Sequence, residues 1–235
     1  MKNKRRLITS AATAAGMLAL CTTIAYAQGA FNVTVTNSDQ YHYGSSSNVG
    51  VNVQNAADGN YTYIVTPVGG NESSAIGSGV IEISNQTTTI PTITFYQGTL
   101  NYQLDLTEMG ASNSGAALFN ISKGTANMKL SAREVNMTVT NADIGKNVTA
   151  YVQVHLQDPN HPDDWITDGT YSSTVRKGDQ TVIKQTGLTT DESGYVTLTL
   201  PGEAGNYTVA ISRTGNLYED TEQMVVIHSY NTDPQ

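Results

Sequence analysis

Apolar and polar residues alternate along most of this chain. Val49, Val51 and Val53 are separated by small or polar residues, as are Tyr61, Tyr63 and Val65, and then Leu100, Tyr102, Leu104 and Leu106. Further on, Val148, Ala150, Val152, Val154 and Leu156 alternate, followed by Val196, Leu198 and Leu200, and by Tyr207, Val209 and Ile211. A period of two sends every second side chain to a buried face and the others to water, which is the pattern of a β-strand. Turn-formers separate the runs: Asp58-Gly59, Gly69-Gly70, Lys177-Gly178-Asp179, Ser193-Gly194 and Pro201-Gly202. After residue 30 the sequence has no apolar stripe at helical spacing. Many short strands between turns predict an all-β sandwich or barrel.

The pattern also repeats. Asn32-Val-Thr-Val-Thr-Asn-Ser-Asp39 matches Asn136-Met-Thr-Val-Thr-Asn-Ala-Asp143 at an offset of 104 residues. Near the other end, Thr92-Ile-Thr-Phe95 matches Thr197-Leu-Thr-Leu200 at 105, and Asn101-Tyr102-Gln-Leu104 matches Asn206-Tyr207-Thr-Val209 at the same offset. Between them, Asn48-Val49 pairs with Asn147-Val148 at 99, so the insertions are internal. Matches at both ends with changes only between them point to a duplicated domain, each copy about 100 residues long, an ordinary size for one sandwich. The expected units are residues 31–123 and 132–229, joined near Gly124-Thr125-Ala126-Asn127.

Within each copy, one stretch carries a resemblance. Glu203-Ala-Gly-Asn-Tyr207-Thr-Val209 resembles the entry to strand F of immunoglobulin-like (Ig-like) domains, where a corner tyrosine bonds backbone just ahead of a core position. Tyr102 holds the same place in the first copy, and Leu104 and Val209 stand where antibody domains have cysteine. Gly187-Leu-Thr-Thr-Asp-Glu-Ser-Gly194-Tyr-Val-Thr-Leu-Thr-Leu200 is similar to a stretch of bacterial and archaeal Ig-like surface modules. The first copy lacks that Thr-Asp-x-x-Gly turn, and neither copy has the cysteine pair. The resemblance implies two tandem Ig-like β-sandwich domains, used as stalks, adhesins or accessory modules at cell surfaces. It also implies that Tyr102 and Tyr207 are buried with their hydroxyls on backbone.

The N-terminus changes the picture of where such a chain works. Lys2, Lys4, Arg5 and Arg6 precede an apolar stretch from Leu7 to Ile24, and Ala25-Tyr26-Ala27 follows. This is the layout of a secretory signal peptide, residues 1–27, with cleavage expected after Ala27 and a secreted or cell-surface destination. Cys21, the single cysteine, leaves with it, so the mature chain is expected to fold without a disulfide. Removing four cations takes the formal net charge from −8 to −8 − 4 = −12, and no Lys or Arg occurs from Gln28 to Ser122. Nucleic acid and anionic lipid call for a positive footprint, so neither is an expected partner. No membrane span is expected in the mature chain. Asn-x-Ser/Thr sequons at Asn32, Asn60, Asn71, Asn85, Asn120, Asn136, Asn147 and Asn206 are candidate glycosylation sites.

Candidate chemistry gathers between Gln157 and Gly169. Asp158, Asn160, Asp163, Asp164 and Asp168 offer oxygens of the kind calcium takes, but the spacing is not an EF-hand loop. The expectation is a polar loop between strands B and C. His155 and His161 flank it without an established ligand spacing, and His42 and His228 are distant. Trp165, near Tyr171, is expected on strand C in the core, because a buried indole contributes so much apolar area. Tyr41-His42-Tyr43 is expected at an edge or turn. No nucleophile elbow, zinc-protease helix or phosphate loop occurs, so no catalytic, cofactor-binding or metal residue is assigned. The expected function is adhesion, binding or spacing toward an extracellular protein or glycan. Two alternatives are a filament subunit that self-associates by donating Asn32-Val-Thr-Val-Thr36, and an accessory carbohydrate-binding module.

Overall fold

A computed structural model describes residues 31–143, 148–167, 169–215 and 217–231. The expected signal peptide, the Asn147 sequon and Asp168 lie outside the described residues. Apart from three short 3-10 turns, every described element is a strand.

The first seven strands are β1 (Asn32–Val35), β2 (Ser46–Gln54), β3 (Gly59–Pro67), β4 (Gly77–Ile83), β5 (Thr87–Thr94), β6 (Asn101–Glu108) and β7 (Ser114–Asn120). They form two sheets, ordered β1-β2-β5 and β4-β3-β6-β7. The alternation read from sequence is the alternation of burial: Val49, Val51 and Val53 on β2 face Tyr61, Tyr63, Val65, Leu104 and Leu106 on the other sheet, all buried. The next nine are β8 (Asn127–Leu130), β9 (Glu134–Val139), β10 (Thr149–Asp158), β11 (His161–Trp165), β12 (Thr170–Lys177), β13 (Gln180–Leu188), β14 (Val196–Pro201), β15 (Gly205–Thr214) and β16 (Thr221–Asn231). Here β10 pairs with β8 on one side and, in succession along the other, with β14 and β11, opposite a sheet ordered β13-β12-β15-β16-β9. The chain is therefore all-β and built of two-sheet sandwiches, with strands β1–β7 laddered among themselves and β8–β16 likewise.

Three departures from the sequence reading follow from edge competition and local turns. The segment left as a connection, Asn127–Leu130, is a strand, and it pairs with β10 as β1 pairs with β2. The matched segments Asn32–Asp39 and Asn136–Asp143 do not occupy matched places: β1 runs antiparallel on β2, whereas β9 runs parallel on β16. The stretch expected as a loop between strands B and C continues β10 to Asp158 and folds back as β11, with a register shift at Gln157/Asp158. Gln157 fixes that hairpin by donating its side-chain amide to the Pro162 carbonyl.

Candidate binding surface at the domain junction

The polar cluster singled out in the sequence sits where the two sandwiches meet. β11 turns His161 back toward the first sandwich, where its ring stacks on Tyr96 with centroids 4.0 Å apart and planes 11° from parallel. Its Nε2 lies 2.9 Å from the Gly44 carbonyl. Asp158, at the end of β10, is 1% exposed. Its Oδ1 accepts the Asn160 N–H at 2.8 Å and its Oδ2 accepts the Tyr218 hydroxyl at 3.0 Å. A buried carboxylate is tolerated only with such partners. Burial first, then the Asp158 charge, pushes the Tyr218 phenol far above its ordinary range, so it stays a donor.

The first sandwich supplies the matching surface. Tyr43 meets Tyr218 edge to face, with centroids 5.3 Å apart. Gly44 has φ +82°, and a Cβ there would fall 2.2 Å from Asp158 Oδ2, so only glycine lets the carboxylate approach. The connection between the halves is held as well: Gly124 N–H donates to Leu217 at 2.9 Å, and Glu219 N–H donates to Gly124 at 2.8 Å. Of the residues offered for calcium, Asp158 and Asn160 thus serve the junction, while Asp163 and Asp164 are exposed on β11 beside a shallow open depression. Among the described residues, no three His, Cys, Asp or Glu side chains converge in a metal-binding geometry. Tyr41 and Tyr43, expected at an edge or turn, are buried; His42 is exposed.

His155 and Trp165 form a second cluster, away from the junction. His155 points to the outer face of the β8–β10–β14 sheet and is covered by two rings, Trp165 at 3.9 Å and Tyr195 at 3.5 Å between centroids. Its Nε2 lies 2.7 Å from the Ser193 carbonyl, and Lys129 Nζ stands 5.1 Å from the Trp165 ring centre. Trp165 is 38% exposed, which corrects the expectation that it packs in the core. Placed on β11, it lies one hairpin before strand C, and Tyr171 on β12 takes the buried position instead. The sequence spacing from strand B was right for a core tryptophan, but it did not reveal the extra hairpin.

The corner tyrosines are buried as the resemblance implies, but their hydroxyls differ. Tyr207 donates to Glu203 O at 3.1 Å. Tyr102 makes no hydrogen bond of good geometry, and burial pushes its phenol up to about 12, with the Gln97 backbone offsetting only part of the rise. The same corner device recurs where sequence reasoning did not look: Tyr61 donates to Ala57 at 2.9 Å, Tyr41 to Thr36 at 2.9 Å and Tyr171 to Ile166 at 2.5 Å. A tyrosine placed four or five residues after a turn carbonyl, at the start of β3 and β12 and ahead of β2, is the signal that would have found them. The seven sequon asparagines among the described residues are all exposed.

No family model matches the chain, and no curated protein sequence matches it. Among solved structures it is similar to a two-domain fibronectin type III segment of chicken tenascin, at 12% identity and a TM-score of 0.47 over 83% of this chain and 97% of that one. Titin domains A168–A170 align at 12% identity and a TM-score of 0.40 over 86% of this chain and 66% of that one. The N-terminal eight Ig domains of Down syndrome cell adhesion molecule align at 10% identity and 0.31, over 86% of this chain and 24% of theirs. Likeness this distant carries no argument about function.

Proposed function

We propose that this chain is an exported, non-catalytic module that holds two Ig-like sandwiches, residues 31–123 and 127–231, in a fixed relation for adhesion or spacing at a cell surface. The observation that carries this reading is the junction. Asp158, Asn160, His161 and Tyr218 direct their polar atoms at one another and at the first sandwich, and Gly44 makes room for them. Their chemistry is committed to a joint. The leader-like N-terminus and the exposed sequons support an extracellular destination, with glycosylation as a further part of the proposal. Among the described residues, no helix is long and apolar enough to cross a membrane. Small-angle scattering of the purified chain, with cell and matrix binding assays beside it, tests the reading. One extended particle that binds cells or matrix agrees with it, whereas freely jointed halves that bind nothing would remove both parts.

A second reading, an accessory carbohydrate-binding module, is favoured by one observation. Trp165 is exposed on the outer face of a sheet, with Tyr151 60% exposed on the same side of β10. Such rings stack on sugar faces. Quenching of Trp165 fluorescence by soluble glycans tests it, and an unchanged spectrum across a glycan panel would set it aside.

A further inference from the structure

The edges of the described sheets are guarded, except at one place. An edge strand offers unpaired backbone groups to any passing strand, and charge or proline on the edge discourages this. Edge strands β4, β8, β9 and β13 carry Glu82, Lys129, Glu134 and Lys184; β5, β11 and β14 carry Pro91, Pro162 and Pro201. Among the described edge strands only β1 and β7 carry neither, and these two lie against each other. β1 is thus the cover for β7, although its own ladder goes to β2, which also has no charged residue or proline.

The cover is short and held by few groups. β1 pairs over Asn32–Val35 only, opposite Val51–Gln54. Phe31, Val33 and Val35 point inward: Phe31 is buried, the valines are half-buried. The Phe31 ring stands edge-on to Tyr61 at 5.5 Å and fills the space left by Gly115 of β7, where a Cβ would come within 2.7 Å of it. The hinge after β1 holds Asn37 at φ 53° and a 3-10 turn, Ser38–Gln40. Tyr41 pins it, donating to Thr36 O at 2.9 Å and accepting from Gly50 N–H at 3.0 Å. The second copy, by contrast, has two strands for the equivalent places, β8 on β10 and β9 on β16.

We infer that the Phe31–Val35 strand is exchangeable, and that the occupant of the cleft between β2 and β7 is interchangeably its own or that of a second copy of this chain. The match is assured because the partner's segment is identical, down to the phenylalanine that fits over Gly115. Exchange in turn links copies through an uncharged strand. This goes beyond the spacer reading and does not depend on it.

The test places cysteines at Thr34 and Asn52, exposed residues that face each other across the ladder. In a Cys21→Ser background, Thr34→Cys chains are mixed with Asn52→Cys chains at high concentration, warmed briefly and oxidised mildly. Exchange predicts a disulfide joining the two kinds of chain, at least tenfold more abundant than disulfides formed by either kind alone. The double variant, oxidised while monomeric, should close within one chain and lose all self-association; reduction should restore it. Adding Tyr41→Phe should raise the yield of the mixed disulfide. No mixed disulfide above the single-variant level overturns the inference and leaves the spacer reading intact. Self-association that persists in the internally closed double variant overturns it too.

Discussion

Asn32-Val-Thr-Val-Thr-Asn and Asn136-Met-Thr-Val-Thr-Asn differ at one residue, yet the first pairs antiparallel with β2 and the second parallel with β16. Sequence pattern states that a segment will be a strand and which side chains face inward. It does not state which edge the strand takes. In the second copy β8 already occupies the edge of β10, so β9 goes to β16 and pairs over six residues, Glu134 to Val139. In the first copy no such competitor is described, and the segment takes β2. Equal sequences thus end with unequal hold, because the neighbours differ.

Phe31→Ala should strain this difference most. Emptying the space over Gly115 should cost about 3 kcal/mol, on the scale of a buried aromatic truncation, and should free β1 while leaving the second sandwich unchanged. Urea denaturation followed by a probe in each half measures it. Equal destabilisation of both halves would mean that the anchor is not local.

Gly44→Ala comes next, at about 2 kcal/mol, combining a positive φ with the approach of Asp158. Its signature is loss of coupling: two separate thermal transitions by calorimetry where the parent chain shows one. A single unshifted transition would argue against the joint.

The corner tyrosines give a smaller and sharper contrast. Tyr207→Phe removes a hydrogen bond and should cost about 1 kcal/mol. Tyr102→Phe removes a buried hydroxyl with no good partner and should be neutral or stabilising. Chemical denaturation of the two variants decides it, and a matching loss at both would restore their equivalence.

Alkaline pH should show the smallest effect. The Tyr102 phenol is raised from its ordinary value near 10 to about 12 in the folded chain. Below pH 10 both states keep the proton and this group's contribution is fully present. Between pH 10 and 12 the unfolded chain releases it first, so stability falls as pH rises. Tyr61 and Tyr218 shift the same way, so Tyr102→Phe should flatten the fall in Tm without abolishing it.

The core was legible in the sequence because period-two alternation is a local property: Val49, Val51, Val53, Leu104 and Val209 are buried where alternation puts them. The junction was not. Asp158 and Asn160 look like loop or metal residues until Gly44 and Tyr218, distant in sequence, close around them. Trp165 misled for a related reason, since β11 adds a hairpin that its proline and aspartates do not announce. Burial of a side chain follows from its own strand. Its partners follow from which strands compete for each edge.

Hydrogen exchange at neutral pH, read by mass spectrometry on peptides covering Asn32–Val35 and Glu134–Val139, tests that conclusion most directly. The account predicts that amides of β1 exchange at least about tenfold faster than those of β9, because local opening of a short cover costs less than opening a strand paired along its length. Equal protection of the two segments, or greater protection of β1, would contradict it.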